Sequence, residues 1–272
     1  MRMTKPRFPR GSVLSIAGSD SGGGAGIQAD IKTITALGGY ASTAITALTA
    51  QNTTGVQGIY QVPAEFIRQQ IKSVIDDIGV DSIKTGMLGN SEIIKAVAAA
   101  IPKDIQLVVD PVMVAKGGAV LLQREAISAL QKQLIPKALL MTPNIPEAQI
   151  LLGRTIATVE EMKQAGQDLL GFGTQSVLVK GGHLSGSEVY DVFVCKNKPI
   201  HIFTSKRLVS EHTHGTGCTL SAAIAVGLAQ KYDLISAIQR ARSFVWNAIK
   251  RAPGLGKGHG PLNHLITINS FD

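Results

Sequence analysis

The chain has 272 residues, of which 44% are hydrophobic and 17% are charged, and its formal net charge at pH 7 is +8. This length accommodates one large α/β domain or two small ones with a sizeable buried core. The positive charge favours anionic ligands. However, the lysines and arginines are scattered and only 4% of the residues are aromatic, which argues against a nucleic-acid-binding protein.

The cysteines and the N-terminal residues indicate the compartment. The two cysteines, Cys195 and Cys218, cannot form a disulfide framework and are typical of a reducing cytosol. The apolar residues 13–18 are too few for a signal sequence or a membrane span. We therefore expect a cytoplasmic protein without membrane contact. We expect a single domain over residues 1–272, in which residues 1–11 are a flexible basic tail.

The first predicted unit is a strand, a glycine-rich loop and a helix. Residues 13–17 form a short apolar run, and Gly-Ser-Asp-Ser-Gly-Gly-Gly-Ala-Gly follows at residues 18–26. Apolar residues then recur at helical spacing as far as residue 37, where two glycines end the helix. The loop contains the dinucleotide pattern G-x-G-x-x-A. No acidic residue lies between Asp30 and Glu65, however, which argues against a dinucleotide site.

Strands and helices alternate through the rest of the chain. The predicted strands are residues 40–48, 82–84, 106–109, 139–141 and 177–179, and an antiparallel hairpin at 188–194 and 198–203. The predicted helices are residues 63–78, a helix through residue 101 capped by Asn90 or Ser91, a helix after a capping box at 158–161, and residues 219–229 and 235–252. This alternation predicts a three-layer α/β/α fold with a mostly parallel central sheet.

Polar or glycine-rich clusters follow most of the predicted strands. They are residues 18–26, 49–55, 85–89, 110–111, 142–147 and 180–183. Ligands bind outside the carboxyl ends of the strands in such sheets, so this placement favours an enzyme. The glycine-containing residues 112–122 are suited to close over a site.

The polar turn before the helix at 219–229 carries the strongest chemical signal. Gly215 and Gly217 permit a tight turn and close approach of the backbone to a ligand. The unpaired amides of the helix N-terminus then favour an oxyanion or a phosphoryl group. Cys218 lies at this N-terminus, where we expect the pKa of its thiol to be lowered. The alternative is a small residue buried on an alanine-rich core helix.

Other catalytic motifs are absent from the sequence. Gly256-Lys257 is followed by glycine and is not a Walker A motif, and H-E-x-x-H, C-x-x-C and G-x-S-x-G do not occur. His212, His214 and Cys218 lack the fourth ligand and the spacing of a zinc site. The remaining strand-end Asp, Asn, Glu and Lys suit phosphoryl transfer, which needs positioning and charge neutralisation.

Six segments carry a resemblance to a known family. They are AGSDSGGGAGIQAD at 17–30, TALTAQN at 46–52, DPVM at 110–113, TPNIPEA at 142–148, KGGH at 180–183 and HGTGC at 214–218. Together they resemble the hydroxymethylpyrimidine/phosphomethylpyrimidine kinases of thiamine biosynthesis, which are ribokinase-like enzymes. The resemblance covers essentially the whole chain. It implies that Mg²⁺–ATP phosphorylates 4-amino-5-hydroxymethyl-2-methylpyrimidine to its monophosphate and then to its diphosphate.

The resemblance also implies roles for individual residues. The catalytic set is Cys218 as base, the amides of Gly215, Thr216 and Gly217 around the transferring phosphoryl group, and Lys180 as its counter-charge. The substrate-binding set is Gly18, Ala25, Asp30, Gln51, Met87 and His214. The ATP-binding set is Asp110, Asn144, Glu147, Lys180 and Gly256, of which Asp110 and Glu147 would hold Mg²⁺ through water. The glycine-rich residues 254–260 and the last helix would border the adenine.

Alternatives remain open from the residues alone. Asp30 could be a solvated helix residue, Gln51 a turn residue, Asp110 a turn cap, Lys180 a surface cation and Met87 a core residue. A pyridoxal kinase is the first rival function, since pyridoxal is also a flat heteroaromatic with a hydroxymethyl arm. Residues 112–118 contain no cysteine to bond its aldehyde, which favours the pyrimidine. The second rival is a non-catalytic pyrimidine sensor. The resemblance also suggests a homodimer, for which residues 40–48 offer an apolar surface.

Overall fold

The computed structural model describes residues 10–113 and 124–267. The strands in these residues are β1 (Ser12–Ala17), β2 (Tyr40–Ile45), β3 (Ala47–Asn52), β4 (Gly55–Gln61), β5 (Ser82–Thr85), β6 (Gln106–Val109), β7 (Leu140–Met141), β8 (Ser176–Lys180), β9 (Glu188–Cys195) and β10 (His201–Lys206). The α-helices are α1 (Gly26–Ala36), α2 (Ala64–Asp77), α3 (Ser91–Ala100), α4 (Arg124–Ala129), α5 (Ile145–Leu152), α6 (Val159–Leu170), α7 (Thr216–Ala229) and α8 (Leu234–Lys250).

The central sheet has the strand order β10-β9-β8-β7-β6-β5-β1-β2. Neighbouring strands pair in parallel along β8-β7-β6-β5-β1-β2, whereas β9 pairs antiparallel with both β8 and β10. Side chains alternate between the two faces: Val13 packs with α1, α7 and α8, while its neighbour Leu14 packs with the core that contains α2, α3, α5 and α6. The predicted three-layer fold is confirmed.

The prediction of a single strand over residues 40–48 is wrong. β2 ends at Ile45, and β3 pairs with β4 in a separate two-stranded hairpin that includes most of the predicted turn at 49–55. The change of direction occurs at Thr46, which is fully buried. Its backbone N–H donates to Ala17 O, and its hydroxyl donates to Met87 O at 2.6 Å. These two hydrogen bonds direct the chain out of the sheet.

Several smaller differences also appear. Helices α4 and α5 were not predicted, although Asn144 and Glu147 form a complete capping box on α5. Arg10 N donates to Gly38 O, and Gly11 O accepts from Tyr40 N, so the backbone of these two residues is bonded to the segment that leads into β2. The rest of that predicted tail, and residues 114–122 of the predicted closing segment, lie outside the described residues. Across residues 10–113 and 124–267, no helix is long and apolar enough to span a membrane.

Candidate active site

A cleft of about 760 Å³ lies at the carboxyl ends of the parallel strands. Most of the predicted site residues line it: Gly18, Ala25, Gln51, Met87, Asp110, Asn144, Glu147, Lys180, His214, Gly215, Thr216, Gly217 and Cys218. Asp30 and Gly256 do not. The topology thus brings loops from both halves of the chain to one site, as expected for a parallel sheet.

The N-terminus of α7 forms a concave turn in the cleft. Gly215 has the left-handed φ of 81°, and a Cβ there would lie 1.8 Å from Gly24 O, so only glycine fits. At Gly217 a Cβ would meet only Lys180 Nζ at 3.3 Å and Asp110 Oδ2 at 3.7 Å. The first turn of α7 therefore presents its amides beside a lysine ammonium, an arrangement that binds anions.

Asp110 and Lys180 form an ion pair next to this turn. Lys180 Nζ lies 2.9 Å from Asp110 Oδ1, which also accepts from Thr142 Oγ1 at 3.2 Å. Ser221 Oγ donates to the other carboxylate oxygen at 3.3 Å. Burial would raise the pKa of Asp110, but the two nearby ammonium groups of Lys180 and Lys84 lower it below its ordinary value. Asp110 is therefore an ionised carboxylate at neutral pH.

Asn144 and Glu147 lie at the start of α5. Asn144 Oδ1 accepts from Glu147 N at 2.9 Å, and Glu147 Oε2 accepts from Asn144 N at 2.7 Å. Glu147 is only 4% exposed. Burial raises its pKa to about 7, against the opposing attraction of Lys180. This carboxyl group is thus poised near neutral pH to exchange its proton for a cation.

The expected lowering of the Cys218 pKa is wrong. Burial of the thiol raises its pKa to about 11, although the Lys84 ammonium and the Gly26 amide both oppose this rise. The helix N-terminus does not compensate for the loss of hydration. The thiol therefore carries its proton at neutral pH.

Asp30 lies behind the cleft and does not contact it. Its side chain is fully buried, and its two oxygens are 2.8 and 3.0 Å from Lys84 Nζ. Ser15 Oγ donates to the same carboxylate at 2.5 Å. This corrects the assignment of Asp30 as a substrate ligand, because its hydrogen-bonding capacity is used within the core. Lys84, which the sequence reasoning missed, lines the cleft in its place.

Gly18, Met87 and Gln51 also line the cleft. A Cβ at Gly18 would lie 2.4 Å from Met87 Cε, so the glycine makes room for the methionine side chain. Gln51 lies on β3 just after a register shift, and its Oε1 accepts from Thr49 Oγ1 at 3.1 Å. Its amide nitrogen is 3.4 Å from His214 Nε2. Gln51 is therefore a strand residue at the cleft, not a residue of a polar turn.

Gly256 supports the β3–β4 hairpin and does not line the cleft. A Cβ at this position would lie 2.2 Å from Thr53 Oγ1, at the tip of the hairpin. The same hydroxyl accepts hydrogen bonds from Lys257 N at 3.1 Å and Gly258 N at 3.2 Å. This corrects the assignment of Gly256 as an ATP ligand. By contrast, Trp246 and other residues of α8 do line the cleft, as expected of the last helix.

Comparison with known proteins agrees with this geometry. The family described as Phosphomethylpyrimidine kinase matches residues 20–263. The chain belongs to this family. It is 48% identical over 257 residues to a hydroxymethylpyrimidine/phosphomethylpyrimidine kinase of Haemophilus influenzae, covering 93% of this chain and 96% of that protein. The predicted membership of the family and the predicted kinase class are therefore confirmed.

Two further similarities are to a longer bifunctional protein and to a kinase named for another substrate. The chain is 52% identical to the thiamine biosynthesis bifunctional protein ThiED of Geobacter sulfurreducens over 95% of its own length, but it spans only 53% of that protein. A solved structure of a Bacillus subtilis pyridoxal kinase bound to ADP superposes with a TM-score of 0.88 at 37% identity, covering 96% of this chain and 100% of that one. The fold is thus common to kinases named for two different substrates.

Proposed function

We propose that the protein uses ATP to phosphorylate 4-amino-5-hydroxymethyl-2-methylpyrimidine to its monophosphate, and the monophosphate to the diphosphate, in thiamine biosynthesis. The observation that carries this proposal is the cleft itself, in which the N-terminus of α7 and Lys180 lie together with Gly18, Met87 and Gln51. The assignment of the chain to the phosphomethylpyrimidine kinase family supports the choice of substrate.

The pyrimidine would occupy the end of the cleft formed by Gly18, Ala25, Met87 and Gln51. The side-chain amide of Gln51 has both a donor and an acceptor, as does the edge of an aminopyrimidine. The adjacent amides of residues 215–217 and the Lys180 ammonium would hold the phosphoryl group in transfer. Electrostatic stabilisation and positioning of this kind supply most of the catalysis in phosphoryl transfer.

In the reaction, the hydroxymethyl oxygen would attack the γ-phosphorus while the bond from the γ-phosphorus to the β-phosphate oxygen breaks. The hydroxyl proton would pass to Cys218, which must then be a thiolate. Because the pKa of this thiol is about 11, the thiolate is a minor species at neutral pH. The loose transition state of phosphoryl transfer reduces the need for a strong base, which makes this compatible with catalysis.

Asp110 and Glu147 fit a magnesium ion that arrives with ATP. Among the described residues, no cluster of three or more His, Cys, Asp or Glu side chains could hold a metal by itself. Mg²⁺ typically keeps several waters and takes one or two carboxylates together with substrate phosphates. The ion would neutralise charge on those phosphates. Asp110, already bound to Lys180, and Glu147, bound to the Asn144 amide, would contact its water ligands.

A pyridoxal kinase is the second candidate, and the similarity to the Bacillus subtilis pyridoxal kinase favours it. The two functions are separated by a phosphorus NMR time course with Mg²⁺–ATP and either hydroxymethylpyrimidine or pyridoxal. We expect the pyrimidine monophosphate to appear first and the diphosphate to follow. Phosphorylation of pyridoxal alone would contradict the proposal, and the absence of turnover in both samples would favour a sensor.

Assembly and location are part of the same proposal. The β3–β4 hairpin and α2 expose large apolar side chains: Leu48, Tyr60 and Phe66. We propose that this face joins two copies of the chain in a homodimer, which sedimentation equilibrium of the protein and a Tyr60→Glu variant would test. Both cysteines are free thiols, in agreement with a cytoplasmic location.

A further inference from the structure

We infer that His214, held in position by Asp20, recognises the phosphate of the monophosphorylated substrate in the second transfer. Asp20 is thus a positioning residue, and His214 is a specificity residue for the second step. The inference rests on the proposed two-step function and deepens it. Asp20 was not among the residues singled out in the sequence, and His214 was assigned only to substrate binding in general.

Asp20 is fixed by contacts within its own loop. It is 3% exposed, and its Oδ1 accepts from Gly22 N at 2.8 Å. Its Oδ2 accepts from Ala25 N at 2.8 Å and from Gly24 N at 3.2 Å. The same Oδ2 lies 2.8 Å from His214 Nε2. The carboxylate therefore ties the glycine-rich loop after β1 to the imidazole that precedes α7.

The proton between these two residues belongs to the histidine. Burial would raise the pKa of Asp20, but the hydrogen bond and charge of His214 and the backbone amides of its loop lower it below its ordinary value. An ionised carboxylate only accepts hydrogen bonds, so Nε2 of His214 must carry the proton. The Nδ1 atom is then the ring nitrogen that does not bond to the carboxylate.

Packing holds the imidazole at the junction of the two halves of the cleft. A Cβ at Gly24 would lie 2.5 Å from His214 Cδ2, and a Cβ at Gly215 would lie 1.8 Å from Gly24 O. His214 N donates to Gly260 O at 3.1 Å. The ring therefore lies between the loop that would hold the pyrimidine and the turn that would hold the phosphoryl group. The phosphate of the second substrate must occupy this junction, since it replaces the hydroxyl of the first.

The second substrate brings a charge that the first does not have. Three cations at the cleft are already paired, each with its own carboxylate: Lys84 with Asp30, Lys180 with Asp110 and Arg242 with Asp191. Lys206 and Arg207 also line the cleft, but they lie at the end of β10, which β9, β8, β7, β6 and β5 separate from β1. Histidine is the side chain whose ring can carry either one or two protons near neutral pH, so the ring at this junction can serve as a donor to the phosphate.

Calorimetric titration tests this by measuring the binding of hydroxymethylpyrimidine and of its monophosphate to the full chain. Asp20→Asn keeps the shape of the side chain but removes its charge, and His214→Gln removes the ring. We expect each variant to weaken binding of the monophosphate by at least about tenfold more than it weakens binding of the alcohol. The double variant should bind no more weakly than His214→Gln. His201→Gln, an exposed histidine on β10, is the matched control and should change neither.

The inference would be overturned if the variants weakened the binding of both ligands equally, or if they weakened the binding of neither. If the wild-type protein binds neither pyrimidine, the proposed function fails as well, which makes the two failures distinguishable. Nitrogen NMR of ¹⁵N-histidine-labelled protein gives a readout that does not depend on substrate. We expect Nε2 of His214 to be protonated in the wild type and to lose this preference in Asp20→Asn. An unchanged nitrogen spectrum would show that Asp20 does not set the protonation of the ring.

Discussion

Lys84 and Asp30 form an ion pair in which both side chains are fully buried, with Lys84 Nζ 2.8 Å from Asp30 Oδ2. Burial disfavours the charge of Lys84, but the adjacent carboxylate raises its pKa above the ordinary value. The Lys84 ammonium thus stays charged under the cleft, near Cys218 and Asp110, while burial raises the pKa of Asp30 against the attraction of Lys84. Removal of one partner leaves the other charged and without compensation in the core.

We expect Asp30→Asn to lower the free energy of unfolding by about 3–5 kcal/mol, because Lys84 would remain as an unpaired buried charge. Replacing both partners, as Asp30→Leu with Lys84→Met, should recover most of this loss. Asp76→Asn is the control, since it breaks the exposed pair with Lys72 on α2 and should cost less than about 0.5 kcal/mol. Urea denaturation measures all three. A raised KM with unchanged stability in Asp30→Asn would instead make Asp30 a substrate ligand.

Gly217→Ala and Gly215→Ala should separate function from stability. Both lie in the turn at α7, but a Cβ at Gly217 projects toward Lys180 Nζ at 3.3 Å, whereas a Cβ at Gly215 collides with Gly24 O at 1.8 Å. We expect Gly217→Ala to retain or slightly raise the melting temperature and to lower kcat by about 10²-fold or more. Gly215→Ala should lower the melting temperature. Full activity of Gly217→Ala would show that no phosphoryl group occupies this turn.

Glu147 and Glu161 occupy equivalent positions in the capping boxes of α5 and α6, which makes them a matched pair. Burial raises the pKa of Glu147 from 4.5 to about 7, while a backbone hydrogen bond from Ala157 lowers the pKa of the exposed Glu161. Below pH 4.5 both the folded and the unfolded chain hold the Glu147 proton. Between pH 4.5 and about pH 7, only the folded protein holds the Glu147 proton. The stability that this proton contributes is therefore lost as the pH rises through about 7.

Glutamine is also accepted at this position of a capping box. We expect Glu147→Gln to remove the decline in stability near neutral pH and to raise the free energy of unfolding at pH 8 by up to about 3 kcal/mol. Glu161→Gln should lose some stability at pH 8 and keep the decline. Urea titrations at several pH values provide the measurement. Identical pH profiles for the wild type and Glu147→Gln would contradict the raised pKa.

The raised pKa of the Cys218 thiol predicts how turnover depends on pH. Since the thiol pKa is raised to about 11, the thiolate fraction increases about tenfold for each pH unit below that value. We expect kcat/KM to rise with pH above neutrality in the wild type. Cys218→Ala should lose about 10²-fold or more in kcat and should also lose this rise. Cys195→Ala, the other free cysteine, is the control. Unchanged turnover in Cys218→Ala at saturating substrate would exclude its role as base.

Hydrophobic periodicity and turn residues predicted most of the sheet and its helices, because burial on one face leaves a regular pattern in the sequence. The β3–β4 hairpin was not predicted. The break at Thr46 depends on hydrogen bonds to Ala17 and Met87, which are distant in sequence and leave no local signal. Glycine and polar clusters at strand ends located the cleft correctly, since parallel strands bring their carboxyl ends together.

The burial of individual polar side chains could not be predicted from the sequence. The resemblance assigned Asp30 to the substrate, and its partner Lys84 lies 54 residues away, although a lysine within an apolar strand was a visible sign of a buried ion pair. The sign of the Cys218 pKa shift depends on desolvation exceeding the effect of the helix N-terminus, which only the packed structure reveals. Asp20 was missed because its partner His214 lies 194 residues further along the chain.

The hydrogen bonds of Thr53 connect two parts of the chain that are 205 residues apart. Gln51 lies on the same hairpin, two residues before Thr53, so the hairpin cannot lift from the pyrimidine end of the cleft without releasing the amides of Lys257 and Gly258. Their exchange with deuterium should therefore record how often that end of the cleft opens. A ligand that holds the hairpin down should slow the exchange of both amides together, even though neither residue lines the cleft.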